Sequence, residues 1–72
     1  STIEYDQRVH DQNGLCFLCN EPDSRLVIDH DHTNGRIRML LCDRCNGGIG
    51  RFLDDPKLLM KTARYIKSFR GI

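Results

Sequence analysis

Tryptophan is absent from this chain, aromatic residues make up only 7%, and there are two prolines in 72 residues. Nor is there an apolar run approaching the roughly 18 residues that cross a bilayer. The first shortage excludes a core built on large rings, and the last excludes a membrane helix. No signal-peptide pattern opens the sequence, so the expectation is a soluble, intracellular protein with no membrane partner. With 39% hydrophobic residues in so short a chain, one domain over residues 1–72 is the most that can form. Such a domain hides too little surface to be stable without a staple.

The staple is found in the cysteines. Cys16-Phe17-Leu18-Cys19 and Cys42-Asp43-Arg44-Cys45 are two C-x-x-C pairs separated by 22 residues. Two intervening residues let both thiolates of a pair reach one ion from a tight turn. Two such pairs complete the tetrahedral sulfur shell of a structural zinc site, which has no open position for chemistry. The alternative, two disulfides in a secreted mini-protein, is disfavoured by the missing signal peptide. A redox C-x-x-C would leave the second pair without a reason.

Around these pairs the pattern predicts a small α+β domain. Residues 4–12 form a short helix ended by Asn13-Gly14, a turn dipeptide. A strand over 24–29 carries Leu26, Val27 and Ile28, and Asn34-Gly35 signals a hairpin into a second strand over 36–41. Arg36 and Arg38 alternate there with Ile37 and Met39. Beyond Cys42 the period lengthens: Cys45, Ile49, Phe52 and Leu53 line one face of a helix. Gly47, Gly48 and Gly50 weaken that helix by about 1 kcal/mol each relative to Ala, which is tolerable if the backbone lies close against something. Asp55-Pro56 supplies an N-cap and a first-turn proline for a last, amphipathic helix over 56–69.

The densest chemistry lies in Asp29-His30-Asp31-His32, directly after an apolar strand. Strict alternation sends the aspartates one way and the histidines the other, so only a twisted segment aims Asp29 and His30 into one site. Asn46 follows the second cysteine pair and lies about 100° around a helix from Cys45. Cys45 can therefore face the zinc while Asn46 faces elsewhere. A carboxylate and an amide oxygen are hard ligands suited to Mg²⁺, and a neutral histidine beside them can take a proton from water near pH 7. Asp29, His30 and Asn46 thus supply a metal site and a base, enough for phosphodiester hydrolysis. His10, in a polar helix with no partner motif, is assigned no role.

The run C-x-x-C, D-H-D-H, N-G-R-I-R and L-L-C-x-x-C-N over about residues 14–50 resembles the phage recombination endonuclease VII family, a branch of the His-Me finger (HNH-like, ββα-metal) nucleases. The resemblance implies a ββα-metal core at about 14–53 with flanking helices. It implies Asp29 and Asn46 as holders of catalytic Mg²⁺ or Mn²⁺, and His30 as the base that activates water. His32 would be a second active-site histidine at the scissile phosphate or leaving group, and Cys16, Cys19, Cys42 and Cys45 the ligands of structural Zn²⁺. Cleavage leaving 5′-phosphate and 3′-hydroxyl ends, on duplex or branched DNA in the cytoplasm of a bacterium or a phage's host, belongs to the same expectation. So does a homodimer or a place in a larger assembly. Met39 departs from the pattern, standing where the family often has Gly, and removes no catalytic group.

Charge is divided to match a phosphate partner. Residues 1–35 carry 2 basic and 7 acidic side chains, and residues 36–72 carry 9 basic and 3 acidic. A basic half is the footprint expected of a nucleic-acid contact. The candidate phosphate contacts are Arg36, Arg38, Arg44 and Arg51, with the stripe Lys57, Lys61, Arg64 and Lys67. A non-catalytic zinc ribbon binding nucleic acid would explain the cysteines and the basic helix, but would leave Asp29, His30, His32 and Asn46 without a purpose. An enzyme using the thiols themselves is disfavoured, because all four would be zinc-bound.

Overall fold

In the computed structural model, which describes residues 2–71, the chain runs α1 (Thr2–Asp11), β1 (Val27–His30), β2 (Ile37–Leu41), α2 (Asp43–Arg51) and α3 (Pro56–Arg70). Helix α1 stops where the turn dipeptide predicts. Asn13 and Gly14 are both left-handed, at φ 54° and 70°, and the Gly14 amide donates back to the Val9 carbonyl at 2.9 Å. The first strand starts later than hydropathy suggests. The Asp23 carboxylate accepts the Arg25 amide at 2.7 Å, and this local turn delays extension to Val27.

β1 and β2 form one antiparallel hairpin. Its loop is wider than a two-residue turn. Asp31 donates its amide to the Arg36 carbonyl at 2.8 Å, and Gly35 donates to the Asp31 carbonyl at 2.7 Å. Gly35 takes φ 73°, a conformation glycine adopts without steric cost. The register pairs Val27 with Leu41 and Ile28 with Leu40, then shifts to pair His30 with Ile37. Arg38 and Met39 therefore oppose Asp29 alone, a β-bulge that breaks the strict alternation.

The outer edge of β2 is closed by a side chain. Gln12 accepts the Leu40 amide at 2.9 Å and donates to the Leu40 carbonyl at 3.0 Å. It stands in for a third strand, which protects an edge otherwise open to pairing. Tyr5 adds a hydrogen bond from its hydroxyl to the Leu26 carbonyl at 2.6 Å. Together these polar contacts fasten α1 to the hairpin.

The core is small and partly made of sulfur. Cys16, Leu26, Leu40, Leu41 and Cys42 are buried, and Tyr5, Val9, Cys19, Cys45 and Ile49 pack against them. Helix α2 keeps Cys45 and Ile49 inward, as its periodicity predicts. Leu53 departs from that face: it lies beyond the helix end at φ 58° and is 79% exposed. The α2 glycines also depart from expectation. A Cβ placed at Gly47, Gly48 or Gly50 meets nothing within 4 Å, so no close approach inside the described residues accounts for them.

Helix α3 begins as predicted. Asp55 caps it by accepting the Lys57 and Leu58 amides at 3.0 and 3.3 Å, and Gly71 closes it in the left-handed conformation. Its apolar arc, however, finds little cover. Leu58, Tyr65, Ile66 and Phe69 are all exposed, although the Tyr65 and Phe69 rings meet at a tilt with centroids 5.2 Å apart. Among the described residues, no helix is long and apolar enough to cross a membrane.

Candidate metal centre and active site

Cys16 and Cys19 are brought together by a knuckle between α1 and β1. The Asn20 amide donates to the Cys16 carbonyl at 3.0 Å, with Cys16 donating to Glu21, and the Phe17 amide ties the knuckle to the Leu40 carbonyl at 3.1 Å. Cys42 sits at the N-cap of α2, where its sulfur accepts the Cys45 amide at 3.4 Å. The four ligand sulfurs lie within 4.8 Å of one another, and no disulfide joins them. Cys19 Sγ and Cys42 Sγ are 3.8 Å apart. Four sulfurs at about 2.3 Å from a tetrahedral zinc would be separated by about 3.8 Å, so the donor set fits a metal ion such as zinc in both chemistry and spacing.

Electrostatics at the cluster also suit a cation. Burial pushes the Cys16 thiol up, but the backbone amides of Cys42, Cys19 and Leu18 outweigh it and bring the thiol down to about 6. Burial, reinforced by the neighbouring sulfurs of Cys42, Cys16 and Cys19, pushes Cys45 up to about 12. Arg44 leans over the cluster, hydrogen-bonded to the Cys45 sulfur and attracted by Cys19, which raises its own pKa.

The second cluster is organised by the bulge. Asp29 is buried while its neighbours Ile28 and His30 are exposed. Arg38, reaching across from β2, donates from Nε to Asp29 Oδ2 at 2.6 Å and from Nη2 to Oδ1 at 3.1 Å. The same guanidinium donates to Asp54 at 2.9 and 3.2 Å. The side chains of Asp29 and Asp54 are 8% and 10% exposed, against 34% for Arg38. The paired carboxylates raise the Arg38 pKa. In return, the Arg38 guanidinium, helped by the His32 backbone amide, holds the Asp54 carboxyl below its ordinary value. Asp29 and Arg38 also border a groove of about 250 Å³ whose other walls are Phe17, Leu18, Met39, Leu41 and Ile49.

The rings of His30 and His32 meet edge to face with centroids 5.2 Å apart. Asp31 turns away into the loop, where the Thr33 hydroxyl and amide lower its pKa through contacts of 2.5 and 2.8 Å to Oδ1. Asn46 is half-buried on α2, and α2 packs against β1. Among the described residues, no hydrogen bond joins the Asn46 side chain to Asp29 or His30. Asp29, His30 and His32 are thus gathered by the hairpin, while Asn46 comes from the facing helix. The four cysteines are the one set of three or more His, Cys, Asp or Glu ligands converging on a point among the described residues.

The basic candidates separate into three places. Arg38 is engaged by two carboxylates and Arg44 by the cysteine cluster. Arg44 and Arg51 flank Gly47 and Gly48 along an open surface of α2, and Arg36 is exposed on the hairpin loop. Lys57, Lys61, Arg64 and Lys67 are exposed along α3. Asp54 is the residue that sequence reasoning missed. Its neighbours Asp55-Pro56 signal a helix start, but nothing in the local sequence announces that a left-handed turn at φ 54° aims Asp54 back at the hairpin.

The model of the family described as recombination endonuclease VII matches residues 1–68. The Gene 59 protein of Mycobacterium phage L5 is 46% identical over 46 residues, covering 60% of this chain and 28% of its own length. The Gene 59 protein of Mycobacterium phage D29 is 38% identical over 60 residues, covering 78% and 36%. The chain therefore spans about a third of the length of these curated relatives. No solved structure matches significantly.

Proposed function

The chain belongs to the recombination endonuclease VII family, and we propose that it is a metal-dependent endonuclease hydrolysing DNA phosphodiester bonds. We read the hairpin and α2 as the ββα-metal core of a His-Me finger, residues 1–72 as one HNH-type domain, and the four cysteines as the ligands of a structural zinc. The observation that carries this reading is the bulge opposite Asp29. It turns one carboxylate inward while leaving His30 open to solvent with His32 against it. A solvated charged loop would need neither the register shift nor the buried acid.

The roles follow from chemistry at each position. Asp29 and Asn46 offer hard oxygens from facing elements, a donor set that fits Mg²⁺ or Mn²⁺. When bound there, such an ion would stabilise the charge growing on the phosphate and the leaving 3′ oxygen. His30, exposed at the end of β1, accepts the proton of the attacking water. His32, edge-on to His30, would assist at the scissile phosphate or the leaving group. Arg36, Arg51 and the α3 stripe hold phosphates without reading sequence. The relatives' phage origin favours action on DNA inside an infected bacterial cell, by a homodimer or as part of a larger assembly.

The test is nicking of supercoiled plasmid and of branched DNA by zinc-replete protein, beside Asp29→Ala, His30→Ala and Asn46→Ala checked for zinc content and melting temperature. Loss of nicking in folded, zinc-loaded variants is the expected result. If the wild type cuts neither substrate, the protein is instead a non-catalytic zinc-ribbon module that binds nucleic acid.

A further inference from the structure

The mechanism above leaves Arg38 and Asp54 without a task, although they make the most heavily bonded ion-pair group among the described residues. Arg38 grips both oxygens of Asp29 and both of Asp54. Through Arg38 on β2, Asp54 ties the α2–α3 turn to the hairpin. That turn is in an unusual conformation: Leu53 and Asp54 are consecutive non-glycine residues at positive φ. Such backbone persists only where the surroundings demand it, and here it delivers the Asp54 carboxylate to the guanidinium.

Charge shows what the third member adds. Asp29 with Arg38 alone is a neutral pair, and a neutral pair has little attraction for a divalent cation. Asp54 restores one net negative charge, with both carboxylates nearly shielded from water, where charges are weakly screened. Arg38 meanwhile bonds Asp29 through two N–H groups in a planar fork, which fixes the carboxylate's rotation. A carboxylate has about four lone-pair sites, so Asp29 retains acceptor capacity while held.

We propose that Arg38 and Asp54 are positioning residues for a divalent-cation site at Asp29. Arg38 fixes the carboxylate's orientation, and Asp54 cancels the guanidinium charge so that the site stays net negative. The proposal rests on the metal-site reading given above. Neither residue touches the reacting atoms; both act through Asp29. Supporting partners of a metal ligand typically govern its affinity in this way.

The experiment titrates Mn²⁺ into the zinc-replete protein and follows free Mn²⁺ by electron paramagnetic resonance, well below the melting temperature. Asp54→Asn is expected to weaken Mn²⁺ about tenfold, the size of one added unit charge partly shielded from water. Asp54→Glu should recover most of the affinity. The double variant Arg38→Gln with Asp54→Asn, which removes both charges, should return to within about threefold of wild type. Should Asp54→Asn fail to fold, Asp54→Ser makes the same charge change while keeping a turn-forming hydroxyl. Wild-type Mn²⁺ affinity in a folded Asp54 variant, or a double variant as weak as the single, overturns the proposal. Asp29→Asn separates the two layers of argument. If it too binds Mn²⁺ normally, the underlying metal-site reading fails; if it alone loses Mn²⁺, only the positioning role fails.

Discussion

The two centres of this molecule are built on opposite plans. At the cysteine cluster, four soft ligands converge within 4.8 Å on their own backbone turns, and the fold around them is little more than the shell of that site. At Asp29, the acid is held by a bulge, an arginine from the opposite strand and an aspartate from a distant turn. The first arrangement is closed and suits a structural ion. The second keeps an exposed histidine, His30, at its rim, open to solvent. On the proposed reading, a chain this small devotes one metal site to stability and leaves the other free for chemistry.

The largest effect should come from breaking the first plan. Removing zinc with a strong chelator, or Cys16→Ser, should unfold the domain, because structural zinc supplies on the order of 10 kcal/mol and a whole domain is stable by only about 5–15 kcal/mol. Circular dichroism with and without chelator reads this directly. A fold that survives chelation would show that the hairpin and α1 suffice, and the contrast between the centres would lose its basis. At the second centre the expected loss is of another kind. His30→Ala should reduce cleavage by about 10²–10⁴-fold, the usual contribution of a general base, while melting temperature and zinc content stay near wild type.

Acid should separate the centres more finely. Asp54 is held below its ordinary value chiefly by Arg38, and Asp31 chiefly by Thr33. For a group depressed in the folded state, stability is fully present above the unfolded value, near 3.9 for Asp, and is lost as pH falls through the lower folded value. Asp54→Asn should therefore remove part of the acid dependence below about pH 4 and leave stability flat with respect to that group. An unchanged acid limb in urea melts at several pH values would mean that the Arg38 pair contributes nothing to folding.

The smallest effect concerns the helix between the centres. Since a Cβ at Gly48 meets nothing, Gly48→Ala should stabilise α2 by up to about 1 kcal/mol, measurable as a rise in melting temperature. If the same variant binds DNA less tightly, the open face between Arg44 and Arg51 lies against the duplex. Unaltered DNA binding would leave the glycines without an explanation in the contact surface.

These contrasts also explain what was legible in the sequence. The cysteine centre depends on local spacing, so two C-x-x-C pairs were enough to find it. The caps at Asn13-Gly14 and Asp55-Pro56 were equally local and fell where expected. The Asp29 centre is non-local. Asp29 and His30 stood out by composition, but the bulge that separates them depends on pairing across the hairpin. Arg38 read as a phosphate contact because its partners lie 9 and 16 residues away. Gln12 was unremarkable in a polar segment, and its role at the β2 edge emerges only once Leu40 is beside it. On α3, periodicity identified an apolar arc without saying whether this chain covers it.

The central claim is a division of labour between two kinds of metal site. It is tested most directly by following plasmid cleavage while Mg²⁺ is added to protein whose zinc content is held at one ion per chain. The account predicts an inert zinc-replete protein that begins to cut as Mg²⁺ is added, with zinc content unchanged throughout. Cleavage by the zinc-replete protein in rigorously Mg²⁺-free buffer, or no cleavage of any DNA with both metals present, would contradict it.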